Sequence, residues 1–234
     1  GHAFAIIGLI LIAVSGPMAK AGVFSPMVGM LGFTIASLLL FIALIIGVRA
    51  LLGNRHSNVL KNTLTTWLVV VAGLGVTVLN IATIVGTSGA PAIHDVTSDV
   101  STPPQFVDII ELRQAANAPN PYAYQDDGSA QLQIAAFPEI KTIVLTESYA
   151  NAFAEALAAA EAMGWEIVAA VPAEGRIEAV ASTAYVGFKD DVVIRVRDDG
   201  NAIAVDIRSK SRMGKGDMGA NAARILAWKK LLLN

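Results

Sequence analysis

Near its C-terminal end the chain carries Gly214-Lys215-Gly216-Asp217-Met218-Gly219, a G-x-G-x-x-G run. In dinucleotide folds this spacing lets the backbone approach a pyrophosphate at a helix N-terminus. Such a site also needs a second parallel strand and an acidic residue about 20 positions on. Neither follows here, so no dinucleotide cofactor is expected. A smaller possibility survives. Arg208, Lys210, Arg212 and Lys215 crowd a glycine-rich bend before a helix. Arg208, Arg212, Lys215 and the Gly216 backbone are therefore candidates for contacting an anion or an acidic partner. The competing reading is a tight turn with Asp217 as N-cap.

Other reactive residues are less well arranged. His94, Asp95 and Asp99 offer one imidazole and two carboxylates without metal-ligand spacing. Lys189-Asp190-Asp191 suits an acid/base pair but also reads as a polar turn between strands. Ser209 and Ser211 have no nearby histidine, and a triad would need His94 from far away. The chain has no cysteine, which excludes disulfides and thiolate chemistry. No catalytic, metal or cofactor-binding residue is expected.

Charge and hydropathy divide the chain sharply. The first 93 residues hold no Asp or Glu and only four basic residues, Lys20, Arg49, Arg55 and Lys61. The remainder carries 13 basic and 19 acidic residues. That acidic balance excludes a nucleic-acid partner, because phosphate contacts need a positive field. Residues 1–87 are expected to be a transmembrane region, with apolar runs at about 4–20, 26–52 and 64–85. The first run is the shortest, and at Gly1 it lacks a natural start. A signal peptide cleaved near Ala19-Lys20-Ala21 is the alternative, but no basic segment precedes the run. Arg49, Arg55 and Lys61 lie between the second and third runs, so the positive-inside rule assigns Arg55 to the cytoplasm. Everything after Val85, Asp126 included, then lies outside. No ionisable group sits mid-span, so transport is not expected. Gly32-x-x-x-Ala36 and Gly73-x-x-x-Thr77 let helices approach closely, either among themselves or on a partner.

Residues 88–140 contain six of the nine prolines and read as an extended arm, with one short helix near 106–116. Residues 141–234 read as an α+β domain. Helical spacing covers 148–163, with Gly164 ending the helix. Alternation predicts four strands near 165–171, 176–184, 191–197 and 202–209, and a helix over 219–233. The expected fold is α+β: three transmembrane helices, then an antiparallel four-stranded sheet with helices packed on one face.

Several segments together resemble the DUF1499 family over about residues 90–230. They are Ile93-His94-Asp95-Val96-Thr97-Ser98-Asp99 with Pro103-Pro104-Gln105-Phe106, Gly164-Trp165-Glu166-Ile167-Val168, Gly175-Arg176-Ile177-Glu178-Ala179 and Gly187-Phe188-Lys189-Asp190-Asp191-Val192-Val193-Ile194-Arg195. The region from Asp206-Ile207-Arg208-Ser209 through Gly219-Ala220-Asn221-Ala222-Ala223-Arg224-Ile225 completes the set. Ala184-Tyr185 departs from it, where such proteins often carry a larger aromatic. The resemblance implies a bacterial or plastid protein with membrane helices ahead of the domain, and assigns no catalytic residue.

The expected function is a membrane-anchored, non-enzymatic accessory or assembly subunit of a larger membrane protein complex. The expected location is the bacterial inner membrane, with the C-terminal domain in the periplasm. Membrane lipids and other membrane protein subunits are the expected partners. The alternative is a periplasmic binding module for an anionic small molecule or lipid headgroup. A hydrolase ranks last.

Overall fold

The computed structural model describes residues 2–53, 60–125 and 127–234. Arg55 and Asp126, which carry the orientation expectation, lie outside the described residues. The chain forms two compact units, one of residues 1–88 with 183–187, the other of 89–182 with 188–234.

The first unit is built on three helices, α1 (His2–Lys20), α2 (Pro26–Gly53) and α3 (Leu60–Thr87). All three are long and apolar enough to cross a membrane. They are apolar around most of their circumference, as lipid-facing helices are, and Leu31, Leu38, Leu68, Val71 and Ile84 are exposed. Small residues set the helix spacing. A Cβ on Gly32 would come within 2.6 Å of Ser15 Cβ, and one on Gly73 within 2.7 Å of the Leu40 carbonyl oxygen. Ala36 is fully buried, and Thr77 donates to the Gly73 carbonyl at 2.7 Å. Gly32, Ala36 and Gly73 thus lie at contacts between helices of this unit, while the Thr77 hydroxyl is engaged within α3.

Residues 183–187 belong to the same unit. The Tyr185 hydroxyl donates to the Ile12 carbonyl at 2.7 Å and lies 3.1 Å from Ser15 Oγ. Its ring meets Phe33 edge-on at 5.5 Å. Gly16 makes this possible, because a Cβ there would sit 2.2 Å from the tyrosine ring.

The second unit is an antiparallel sheet whose strand order is β1-β6-β5-β4-β3, with β2 also on β6. Its central strands are β4 (Arg176–Ser182), β5 (Lys189–Asp198) and β6 (Ile203–Ser211), flanked by β3 (Glu166–Val171). Two three-residue strands, β1 (Asp95–Thr97) and β2 (Ile143–Leu145), share the outer edge of β6. The sheet therefore has six strands where alternation predicts four. The additional pair is too short to show a period. The supposed arm supplies β1 and two helices, α4 (Ile109–Ala115) and α5 (Ser129–Ala136). Gln133 of α5 is buried, and its amide accepts from the Thr97 N–H at 2.9 Å and donates to the Thr97 carbonyl at 2.7 Å. It takes the place that another strand would occupy beside β1.

One face of the sheet holds the core. Ile177, Ile194, Val205 and Ile207 point at α6 (Tyr149–Ala162) and α7 (Ala220–Leu232). Ser148 starts α6 by accepting from the Asn151 N–H at 3.2 Å. Trp228 of α7 is fully buried, and its indole N–H donates to the Ala156 carbonyl at 3.3 Å. Gly175, at φ +63°, turns β3 into β4; a Cβ there would lie 2.0 Å from the Val196 carbonyl oxygen.

Candidate functional site

The opposite face of the same strands is charged. Strand alternation sends Glu178 from β4, Asp191 and Arg195 from β5, and Asp206, Arg208 and Lys210 from β6 away from the helical core. Register places Lys210 beside both Asp95 and Asp191, and Asp206 beside Arg195. All of these side chains except Arg195 are buried, because residues 98–125 lie over them. A buried charge needs a partner and satisfied hydrogen bonds, and each carboxylate gathers its own set.

Asp95 takes Arg208 in a forked contact, Nε to Oδ1 at 2.9 Å and Nη2 to Oδ2 at 2.8 Å. Lys210 Nζ reaches the same Oδ2 at 2.7 Å. The Arg208 guanidinium also lies 4.9 Å from the Phe106 ring centre and 5.3 Å from that of Tyr124, contacts that favour a cation. Two of its remaining three protons go to the carbonyls of Pro104 and Tyr122, and Lys210 donates to that of Ala123 at 3.0 Å. Burial lowers the Lys210 pKa from its ordinary value, against the pull of Asp95.

Asp191 binds two arginines, Arg113 of α4 and Arg212, the latter at 2.7–3.0 Å. Arg113 also donates to the Asn120 carbonyl at 2.8 Å. Glu178 accepts from the N–H groups of Val107 and Ile109 at 2.7 and 2.8 Å, so a carboxylate from the sheet caps the start of α4. Arg176 closes that contact at 2.7 Å and also pairs with Asp108 and Glu174. Asp206 accepts from Ser98, Thr142, Arg195 and Arg197 at 2.6–3.1 Å. Burial works to raise the Asp206 pKa, but the Arg195 and Thr142 contacts prevail and hold it low.

Each residue singled out in the sequence now has a place. Arg208 and Arg212 are buried ion-pair partners, not free anion contacts. Asp217 accepts from the Gly219 and Asn221 N–H groups at 2.8 and 2.6 Å, so the open donors at the start of α7 already have an internal anion. Gly216 packs against Ala92. The tight turn of the structural alternative is present, but Gly219 rather than Asp217 is the N-cap residue, with Asp217 bonding from two positions before it. Lys189-Asp190-Asp191 is not a turn but the start of β5, and its two carboxylates face opposite ways: Asp190 to Arg224, Asp191 to Arg113 and Arg212. Ser209 and Ser211 bond the buried Asn221. Asp99 binds Arg195 and the Ser101 and Thr102 N–H groups. Among the described residues no His, Cys, Asp and Glu group is arranged to hold a metal ion.

Lys215 remains outside these pairs. With His94, Asn120 and Lys210 it lines a cavity of about 230 Å³ at the β1 end of the charged face. Sequence reading missed Arg113, Glu178 and Asp206. Their one signal is the period-two placement of charges opposite the apolar positions of β4–β6.

A family model described as "Protein of unknown function (DUF1499)" matches residues 95–232, well over half of the chain. The match runs from the start of β1 to the end of α7 and includes every carboxylate of the charged face. No curated protein matches the chain.

Proposed function

The chain belongs to the DUF1499 family, and from that premise and the geometry above we propose a membrane-anchored, non-enzymatic accessory or assembly subunit of a larger membrane protein complex. Its domain lies on the periplasmic side of a bacterial inner membrane, and its partners are membrane lipids and other membrane protein subunits. The carrying observation is the use made of charge. Asp95, Asp191, Glu178 and Asp206 each bind cations or main-chain donors of the same domain, and their arginines are bound in return. Groups that act in catalysis need an approachable proton or lone pair; these are fastened under the 98–125 segment. The three long apolar helices support the anchor, and the basic residues at 49–61 support the orientation. The anionic-ligand alternative has less support, since Arg208 and Arg212 face Asp95 and Asp191 and Asp217 holds the start of α7.

The test is gentle extraction of the native membrane followed by sizing in detergent. An accessory subunit migrates in a particle far larger than its own 24.4 kDa and micelle, with the same companions in fixed ratio. A lone monomer contradicts the proposal. A single cysteine at the exposed Asn201, introduced into this cysteine-free chain, should label from outside intact cells. Protection of that site reverses the orientation.

A further inference from the structure

The cavity at the β1 end of the charged face is lined by three separate stretches, 92–95, 120–129 and 210–215, which only the fold brings together. Its lining is chemically mixed. Lys210 and Lys215 supply two cations, Asp95 and Asp127 two anions, and the charges cancel. A site for an anion carries an excess of donors and positive charge, and a site for a cation the reverse. This one has neither.

What it does have is unmet hydrogen-bonding capacity of both signs. His94 Nε2 is buried without any hydrogen-bond partner. Burial and the Lys210 charge lower the pKa of the ring from its ordinary value. In the neutral ring one nitrogen donates and the other accepts, so Nε2 can take either part. A buried polar atom left unpaired is destabilising by about 1–3 kcal/mol, so such an atom calls for a reason. Lys210 has two of its three ammonium protons placed, on Asp95 and the Ala123 carbonyl. Asn120 has both amide protons placed, on Ser211 and Gly214, which leaves its carbonyl oxygen as an acceptor. Asp127 is exposed at the rim and keeps acceptor capacity beyond its contact with the Ser129 N–H.

We propose that this cavity binds a small neutral polyol, a single sugar or cyclitol ring, whose hydroxyls donate to Asn120 and Asp127, accept from Lys210 and pair with His94 Nε2. Adjacent hydroxyls, each both donor and acceptor, suit interleaved donors and acceptors that cancel in charge. The volume of about 230 Å³ falls below the ~300–1,000 Å³ of drug-sized sites and fits one ring. The polyol is either a free molecule or the headgroup of a glycolipid. The inference is independent of the accessory role, because binding is read on the purified chain without a partner.

The test uses the full chain in a polyoxyethylene detergent, since sugar-headed detergents would compete. Histidines are labelled with ¹³C at Cε1; the chain has three, and His94→Gln identifies its signal. The probes are myo-inositol, methyl glucoside and inorganic phosphate. The expected result is a saturable shift of the His94 signal with at least one polyol and none with phosphate. Asp127→Ala, at an exposed position, should weaken that binding about tenfold, the equivalent of ~1.4 kcal/mol. A second arm places the chain in phosphatidylcholine nanodiscs with or without a glucosyl diacylglycerol. A shift caused by the glycolipid alone identifies the headgroup as the source and upholds the polyol chemistry. A phosphate-driven shift, no shift in any arm, or a polyol shift undiminished by Asp127→Ala overturns the proposal.

Discussion

The two faces of the β4–β6 sheet bury comparable strands by opposite means. On one face Ile177, Ile194 and Ile207 meet Trp228 and the alanines of α6. Contacts there are non-directional, and a lost methylene removes little more than its own burial and the cavity it leaves. On the other face Asp191, Asp206 and Arg208 are equally buried beneath the 98–125 segment. Contacts there are directional and mutually dependent, and removing one partner strands the others without solvent. Period-two alternation supplies both faces from the same three strands. What separates them is the covering segment: amphipathic helices on one side, a proline-rich stretch offering carbonyls on the other.

The largest difference should appear on breaking an ion cluster. Asp191→Ala leaves Arg113 and Arg212 facing each other in a dry site, and should destabilise the domain by about 3–5 kcal/mol. Denaturant unfolding of the detergent-solubilised chain measures it. On the apolar face Ile207→Val should reduce stability by only about 0.5–1.5 kcal/mol. Equal effects of the two substitutions would erase the distinction between the faces.

The edge sharpens the comparison. Gln133→Ala removes both side-chain bonds to Thr97, and should lower stability by about 1–3 kcal/mol. Hydrogen exchange should rise at residues 95–97 and not in β5. Unchanged protection at β1 would show that Gln133 does not complete the edge.

The smallest effect concerns pH. The folded His94 pKa lies below its ordinary value of 6.5, so the unfolded chain binds the proton more readily. The His94 contribution is complete above about pH 6.5 and is lost as pH falls through the folded value. Asp206, also held low, adds an acid limb: its contribution is present above the unfolded carboxylate range near 3.8 and fades as pH falls through the folded value. His94→Gln should flatten the unfolding profile just below pH 6.5 and leave the acid limb intact. A profile unchanged in both limbs would remove His94 from the account.

These contrasts also explain what the sequence made legible. β3–β6, α6 and α7 stand within a few residues of their predicted positions, because each repeats a period over six residues or more. β1 and β2, three residues each, are too short to show one. Lys189-Asp190-Asp191 reads as a turn because three adjacent charges suggest solvent. It is strand because Arg113, Arg212 and Arg224 arrive from elsewhere in the chain. Arg208 and Arg212 read as free cations for the same reason. Alternation shows which face a residue takes, but not what a segment 69–115 positions away will lay over it.

The central proposal is that this charged face serves to hold the domain together rather than to act in recognition or chemistry. Replacing one whole cluster by apolar residues of similar volume tests it directly: Asp191→Leu, Arg113→Met and Arg212→Met in one chain. The account predicts a folded protein within about 1–4 kcal/mol of the parent, on either side, as buried ion clusters tolerate such exchange, running in the same native particle as the parent. A variant that folds equally well but leaves that particle would show that the cluster serves recognition or chemistry, and would contradict the account.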